Sequence, residues 1–160
     1  MSTRFWQPST KIIPAISTLV MAILLTGCFG NEEEDWHGTS ISGLMPELEF
    51  DLINSQGEPV SGYDYNGRVK MLFFGFTSCP DVCPTALQKL NQATSGLAPE
   101  LQEEVLTLFV SVDPQRDTPE RLAEYVDFFG DNIVGLTGEE PQLRQLAKRY
   151  RTTFGYEEPG

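Results

Sequence analysis

The chain is 160 residues long and its formal net charge is −12, because 23 acidic residues outnumber 11 basic ones. This length leaves room for one domain once a leader is removed. So acidic a chain is not expected to bind nucleic acid, which needs a basic surface.

The first residues have the pattern of a bacterial leader. The apolar run Ile12–Leu25 is too short for a comfortable membrane span and has the dimensions of a signal-peptide core. It leads into Leu-Thr-Gly-Cys, which resembles a lipobox, so we predict a signal peptide over residues 1–27 and lipid modification of Cys28. An uncleaved anchor helix with an incidental cysteine is the alternative. In the lipid-anchored reading, the domain faces the periplasm at a bacterial membrane.

Residues 28–43 are predicted to form an acidic tether between the lipid and the folded domain. Four consecutive acidic residues at 32–35 are typical of a solvated segment. His37 follows them and is interpreted as an exposed linker residue. The folded domain is predicted over residues 44–160.

An amino-terminal hairpin and an apolar strand are predicted next. Leu48, Phe50 and Leu52 alternate with acidic residues, which is the period of a half-exposed strand. Turn-forming residues at 54–57 predict that the chain then returns as a second strand. Met71–Phe76 has no charge, and a short apolar run of this kind predicts a strand buried on both faces.

The remainder alternates helices with strands. The predicted elements are a helix from Pro84 to near Gly96, a strand over Val105–Val112, a helix begun by Thr118 and Pro119, a strand over Ile133–Leu136 and a helix over residues 143–150. A strand, a helix and a parallel strand in succession imply a right-handed crossover. The sequence therefore predicts an α/β fold with a thioredoxin-like layout, in which helices flank a central mixed sheet.

Two cysteines, Cys79 and Cys83, fall on the turn between the apolar strand and its helix. Both precede a proline, and Pro84 suits the first helical position, which places Cys83 near the N-cap. The unpaired amides and the dipole at a helix N-terminus lower the pKa of a thiol. We therefore expect both thiols to be more thiolate-like than a free cysteine.

Such a pair has two chemical uses. In a regular helix the Cβ atoms of residues four apart lie about 5–6 Å from each other, which is wider than the roughly 3.5–4.5 Å of a disulfide. A non-helical turn at Cys79 would close that gap, and an oxidising compartment permits the bond. Alternatively the sulfurs hold a soft metal, for which thiolates favour Cu(I) or zinc. Structural zinc usually needs four ligands, and a chain with three cysteines and one histidine argues against such a site.

The residues from Phe74 to Pro84, Phe-Gly-Phe-Thr-Ser-Cys-Pro-Asp-Val-Cys-Pro, resemble the signature turn of the Sco/SenC family of copper-binding thioredoxin-fold proteins. Val110–Pro119 is similar to the second hallmark loop of that family. The resemblance implies that Cys79 and Cys83 are copper ligands for Cu(I), with Cu(II) left open. It also implies delivery of copper to the CuA centre of cytochrome c oxidase, or redox service to its cysteines. The implied partners are the CuA-bearing subunit and other copper carriers or thiol reductants.

The chain departs from that family at the third copper ligand. The resemblance implies a histidine well downstream of the second cysteine, whereas the single histidine here is His37, which precedes the domain. We therefore expect either a fragment that lacks the carboxyl-terminal elements, or a protein that binds copper through two thiolates alone. Two thiolates alone are expected to hold Cu(II) poorly, because that ion prefers imidazole and oxygen ligands.

Asp113 and Asp117 lie in the second hallmark loop, where the resemblance suggests docking of a partner. The equal alternative is that Asp117 and Thr118 cap a helix while Arg116 pairs with an acid. A copper metallochaperone is the favoured function, and whether the chain is an enzyme stays open. The alternatives are a membrane-anchored thiol–disulfide oxidoreductase that uses the same cysteines and a lipoprotein whose domain has lost its chemistry.

Overall fold

One mixed sheet organises the fold. The computed structural model describes residue 39 and residues 42–156. Within them the strands are β1 (Asp51–Asn54), β2 (Pro59–Ser61), β3 (Val69–Gly75), β4 (Val105–Ser111) and β5 (Ile133–Thr137), in the spatial order β2-β1-β5-β4-β3. The last three strands are parallel, and β1 pairs antiparallel with both β2 and β5. The predicted hairpin and the predicted parallel pairing of β3 with β4 are both present.

At least one helix follows each of the three parallel strands. The helices are α1 (Val82–Ser95), α2 (Pro99–Gln102), α3 (Pro119–Asp127) and α4 (Glu140–Arg149), and one 3-10 turn spans Gly62–Tyr65. The short helix α2 was not predicted, because the sequence analysis ended the preceding helix near Gly96 and placed no further element before Val105. Proline suits the first turn of a new helix, and here Pro99 occupies that position. None of the helices within residues 42–156 has the length and apolar character needed to span a membrane.

Two apolar clusters cover the two faces of the sheet. One contains Leu52, Leu106, Leu108, Val110 and Leu136 with Leu143 and Leu146 of α4. The other contains Leu87 of α1, Leu122 and Val126 of α3, Phe109, Phe129 and Ile133. Successive residues of a strand point to opposite faces, so β4 contributes Leu108 and Val110 to the first cluster and Phe109 to the second.

Strand β3 is less buried than its sequence predicts. Among the described strands it pairs only with β4, so its other edge carries no strand. Val69 is exposed, and the residues at 70–74 are only half-buried. The prediction of a strand buried on both faces was wrong, since an apolar run does not distinguish a central strand from an edge strand.

The start of α3 agrees with the prediction. Thr118 is its N-cap residue and accepts a hydrogen bond from the N–H of Arg121 at 3.3 Å. Pro119 occupies the first helical position, where its missing N–H removes no helical bond. This cap sets the residue at which α3 begins.

Several predictions concern residues outside the described part of the chain. They are the signal peptide over 1–27, the lipid at Cys28 and the acidic run with His37. These stay predictions.

Candidate functional site

Cys79 and Cys83 lie at the carboxyl end of β3, the edge at which open α/β sheets commonly carry their sites. The N–H of Cys79 donates to the carbonyl of Phe76 at 3.2 Å, which closes the turn after the strand. Asp81 is the N-cap residue of α1, and Cys83 is the second residue inside the helix. The predicted placement of Cys83 near the N-cap was therefore two residues out.

Cys83 is buried, with 6% of its surface exposed. A Cβ added to Gly75 would lie 3.1 Å from Cys83 Sγ and 2.7 Å from Cε2 of Phe109, so the sulfur packs between the end of β3 and that ring. Burial raises the pKa of the Cys83 thiol to about 11, and the hydrogen bond that it donates to Cys79 adds to the effect. The prediction of an acidified thiol was wrong for Cys83, because desolvation outweighs the helix terminus there.

Cys79 is half-exposed, and its thiol is acidified as predicted. Burial by itself raises the pKa of Cys79. Hydrogen bonds from the Cys83 thiol and from the backbone N–H groups of Cys83, Asp81 and Val82 outweigh that effect and lower it. In one of these contacts the N–H of Cys83 donates to Cys79 Sγ at 3.3 Å. The amides at the start of α1 thus act on Cys79 rather than on Cys83.

The two sulfurs form an accessible, acidified thiol beside a buried, weakly acidic one. Both cysteines are free thiols. Among the described residues, no cluster of three or more His, Cys, Asp or Glu side chains is arranged to hold a metal. The two sulfurs are the soft ligands that the described residues offer to a metal ion at this turn.

The loop after β4 places Asp113 and Asp117 inside the protein. Asp117 is 0% exposed, and Asp113 is 6% exposed and paired with Arg116. The carboxylate of Asp117 accepts hydrogen bonds from the N–H of Thr77 at 2.8 Å, from Thr77 Oγ1 at 2.6 Å and from Ser111 Oγ at 2.6 Å. Docking of a partner by this loop stays a prediction. The alternative is met in part: Arg116 pairs with Asp113 and Thr118 caps α3, whereas Asp117 bonds to Thr77 and Ser111 instead of capping the helix.

Most of the folded part of the chain matches one family model. Residues 44–159 match the model described as SCO1/SenC. The chain belongs to the SCO1/SenC family. One Sco relative, protein sco1 of Schizosaccharomyces pombe, is 37% identical over 105 residues, which are 66% of this chain and 40% of that protein. The chain spans about half the length, or less, of curated Sco relatives such as this one.

Solved Sco structures share the fold. Arabidopsis thaliana ScoI with copper bound is 37% identical, with a TM-score of 0.60 and a match that covers 66% of each chain. BsSco, described as a member of the Sco family of cytochrome c oxidase assembly proteins in which a disulfide switch was identified, is 26% identical, with a TM-score of 0.54. That match covers 71% of this chain and 69% of BsSco. The predicted Sco/SenC resemblance and the thioredoxin-like fold are confirmed.

Tyr125 is a neighbour of the cysteine pair that the sequence interpretation missed. Its ring packs against Phe109 and Phe129, with centroid distances of 5.4 and 5.2 Å. Burial raises the pKa of Tyr125 to about 12, and the charges of Cys83, Cys79 and Asp117 contribute. Its hydroxyl is buried and has no hydrogen-bond partner among the described residues of this Sco chain. The signal in the sequence was its place three residues after Leu122 and four before Phe129, on the apolar face of α3.

The substitution Tyr125→Phe is expected to leave stability unchanged or to raise it by about 1 kcal/mol, because it removes a buried hydroxyl that has no bond to lose. Urea unfolding measures this. The matched control is Tyr156→Phe, whose hydroxyl donates to the carbonyl of Val112 at 2.7 Å. That change is expected to cost about 0.5–1.5 kcal/mol. A larger loss in the Tyr125 variant than in the control would show that the Tyr125 hydroxyl has a partner.

Proposed function

We propose that this chain binds copper for cytochrome c oxidase assembly and holds Cu(I) between Cys79 and Cys83. The observation that carries the proposal is the pair of sulfurs on one turn, with the backbone N–H of Cys83 at 3.3 Å from Cys79 Sγ. Thiolates are the soft ligands that Cu(I) prefers. The copper-bound Arabidopsis structure and the family description of BsSco support the same function.

The two cysteines have different parts in holding the ion. Cys79 is half-exposed and has the lowered pKa, so it is the thiolate that meets incoming copper. Cys83 is buried, with a pKa of about 11, and its thiol loses its proton when the metal binds to the sulfur. Copper is the cargo in this function, so a site open on the Cys79 side suits both loading and release.

The proposed partner is the CuA-bearing subunit of cytochrome c oxidase. Other copper carriers or thiol reductants are proposed to act on the same cysteine turn. The proposed location is the periplasmic face of a bacterial membrane, with the lipid on Cys28. Both proposals rest on the sequence motifs described above. The intact mass of the membrane-extracted protein checks the lipid, since a species that retains Met1 and has no acyl chain would contradict it.

A competition titration with a chromogenic Cu(I) chelator tests the function. The reduced chain is expected to take one Cu(I) from the chelator, whereas the chain oxidised to the Cys79–Cys83 disulfide should take none. The oxidised sample is the control, because it has the same sequence but no free thiol in the turn. Equal copper uptake by the two forms would overturn the proposal.

A thiol–disulfide oxidoreductase is the second candidate function. The arrangement that favours it is an acidified, accessible Cys79 beside a second thiol, since an attacking thiolate needs access and a neighbour to resolve the mixed disulfide. Reduction of a model disulfide at a rate well above that of free glutathione, in copper-free buffer, would support this candidate. A rate equal to that of glutathione would contradict it.

The affinity for Cu(I) is expected to rise with pH. Copper needs both thiolates, and the Cys83 thiol, with its pKa of about 11, stays protonated through neutral pH. Each proton displaced raises the apparent affinity about tenfold per pH unit, so at least this slope is expected between about pH 6 and pH 8. Titrations against a chelator calibrated at each pH measure it. An affinity independent of pH would show that Cys83 is not a ligand.

A further inference from the structure

The two cysteines are held by different parts of the fold. Cys83 belongs to α1, and its sulfur packs against Gly75 and Phe109 in the core. Cys79 lies in the turn before that helix, where its own N–H bonds only to the carbonyl of Phe76. The position of Cys79 relative to Cys83 therefore depends on what fixes the turn.

Thr77 connects this turn to a buried carboxylate 40 positions along the chain. Both its N–H and its hydroxyl donate to Asp117, at 2.8 and 2.6 Å. Ser111, the last residue of β4, donates to the same carboxylate at 2.6 Å. Asp117 therefore joins the cysteine turn to the carboxyl end of β4.

Arg121 closes the network from the first turns of α3. Its Nε donates to Thr77 Oγ1 at 2.7 Å and lies 3.8 Å from Asp117 Oδ1. Its Nη2 lies 3.4 Å from Ser78 Oγ. A carboxylate that is 0% exposed is costly unless it is paired and hydrogen-bonded, and these groups supply that compensation. Two of the three hydrogen bonds that the Asp117 carboxylate accepts come from Thr77, two positions before Cys79.

We propose that Asp117 is a positioning residue for the thiol pair. It holds Thr77, and Thr77 holds the turn that keeps Cys79 Sγ against the start of α1. The inference rests on the proposed function in one respect, since it takes the Cys79–Cys83 thiol pair as the functional site. This role differs from the predicted docking, because the carboxylate of Asp117 faces inward and its two oxygens are used within the fold.

By holding the turn, Asp117 raises the effective concentration of the Cys79 thiol beside the Cys83 thiol. The reduced chain already places the two sulfur-bearing residues in contact, with the Cys83 N–H 3.3 Å from Cys79 Sγ. In a glutathione buffer, two protein thiols and one oxidised glutathione give one protein disulfide and two reduced glutathiones. A looser turn lowers the equilibrium constant of that exchange, because Cys79 then spends less time beside Cys83.

The test measures this equilibrium on the metal-free full chain. Thr77→Val keeps the shape and the N–H of residue 77 but removes the hydroxyl bond to Asp117. It is expected to lower the equilibrium constant about tenfold, because a hydrogen bond to a charged group contributes about the free energy of a tenfold change in an equilibrium constant. For this two-electron couple, a tenfold change equals about 30 mV. Asp117→Asn is expected to act in the same direction. Thr77→Ser keeps the hydroxyl and should restore the wild-type value.

Ser111→Ala is the matched control. It removes the hydroxyl that donates to the same carboxylate and that accepts from the N–H of Asp113 at 3.2 Å, but it alters no residue of the cysteine turn, so a change below about threefold is expected. A wild-type equilibrium constant in Thr77→Val, or an equal shift in Ser111→Ala, would overturn the proposal and leave Asp117 with a purely structural role. Because no copper is present, a failure of copper binding would not change either result.

Discussion

Replacing Cys79 or Cys83 by serine is expected to lower the affinity for Cu(I) by more than about 100-fold, since the loss of an outer-shell group alone typically costs about 10–100-fold. A serine hydroxyl is a hard, protonated oxygen at neutral pH, whereas Cu(I) prefers a soft thiolate. With two sulfurs as the protein ligands at this turn, either change leaves a single thiolate. The chelator competition described above measures the loss.

The two substitutions should differ in their effect on stability. Cys79 is half-exposed, so Cys79→Ser is expected to change the free energy of unfolding by no more than about 0.5 kcal/mol. Cys83→Ser places a hydroxyl in a buried site beside Phe109 and is expected to cost about 1–3 kcal/mol. Urea unfolding separates this cost from the loss of copper.

Ser78→Ala is the control for both cysteine variants, because it changes an exposed residue of the same turn and keeps both sulfurs. It is expected to retain the wild-type affinity for Cu(I) within about threefold. Wild-type affinity in either cysteine variant would show that copper binds elsewhere. An equal loss in Ser78→Ala would show that the turn is disturbed in general rather than deprived of a ligand.

The local part of the site could be predicted from the sequence. An apolar run, two cysteines and a proline gave a strand, a turn and a helix in the right order, and Thr118 with Pro119 gave the start of α3 correctly. These features depend on neighbours along the chain, through capping and through the fixed backbone angle of proline. Local patterns of this kind are readable in one sequence.

The environment of the site was not readable in the same way. The pKa of Cys83 depends on its burial beside Gly75 and Phe109, and Phe109 comes from a different strand. The bonds between Thr77 and Asp117 join residues 40 positions apart. A periodic pattern shows that a residue has a buried face, but it does not show which distant side chain meets that face. The acidified thiol was therefore predicted correctly for Cys79 and wrongly for Cys83.

The close approach at Gly75 gives the second large expected effect. In Gly75→Ala the new Cβ would lie 2.7 Å from Phe109 Cε2 and 3.1 Å from Cys83 Sγ. Phe109 is 0% exposed and has Phe73 and Tyr125 as ring neighbours at 6.0 and 5.4 Å, so its ring has little room to withdraw. Overpacking of this kind costs about 1–3 kcal/mol. The sulfur must shift as well, so the affinity for Cu(I) is expected to fall about 10–100-fold.

Two other glycines separate the effect on copper from the effect on stability. In Gly62→Ala the new Cβ would clash with the backbone carbonyl of Leu48, so this variant is also destabilised. Gly62 directly follows β2, at the sheet edge opposite to β3, and the affinity of the folded protein for Cu(I) should stay within about twofold of wild type. Gly96→Ala meets only ordinary contacts at 3.5 Å and should change neither property. If Gly62→Ala loses as much copper affinity as Gly75→Ala, the loss follows from reduced stability, and Gly75 has no particular part in placing Cys83 Sγ.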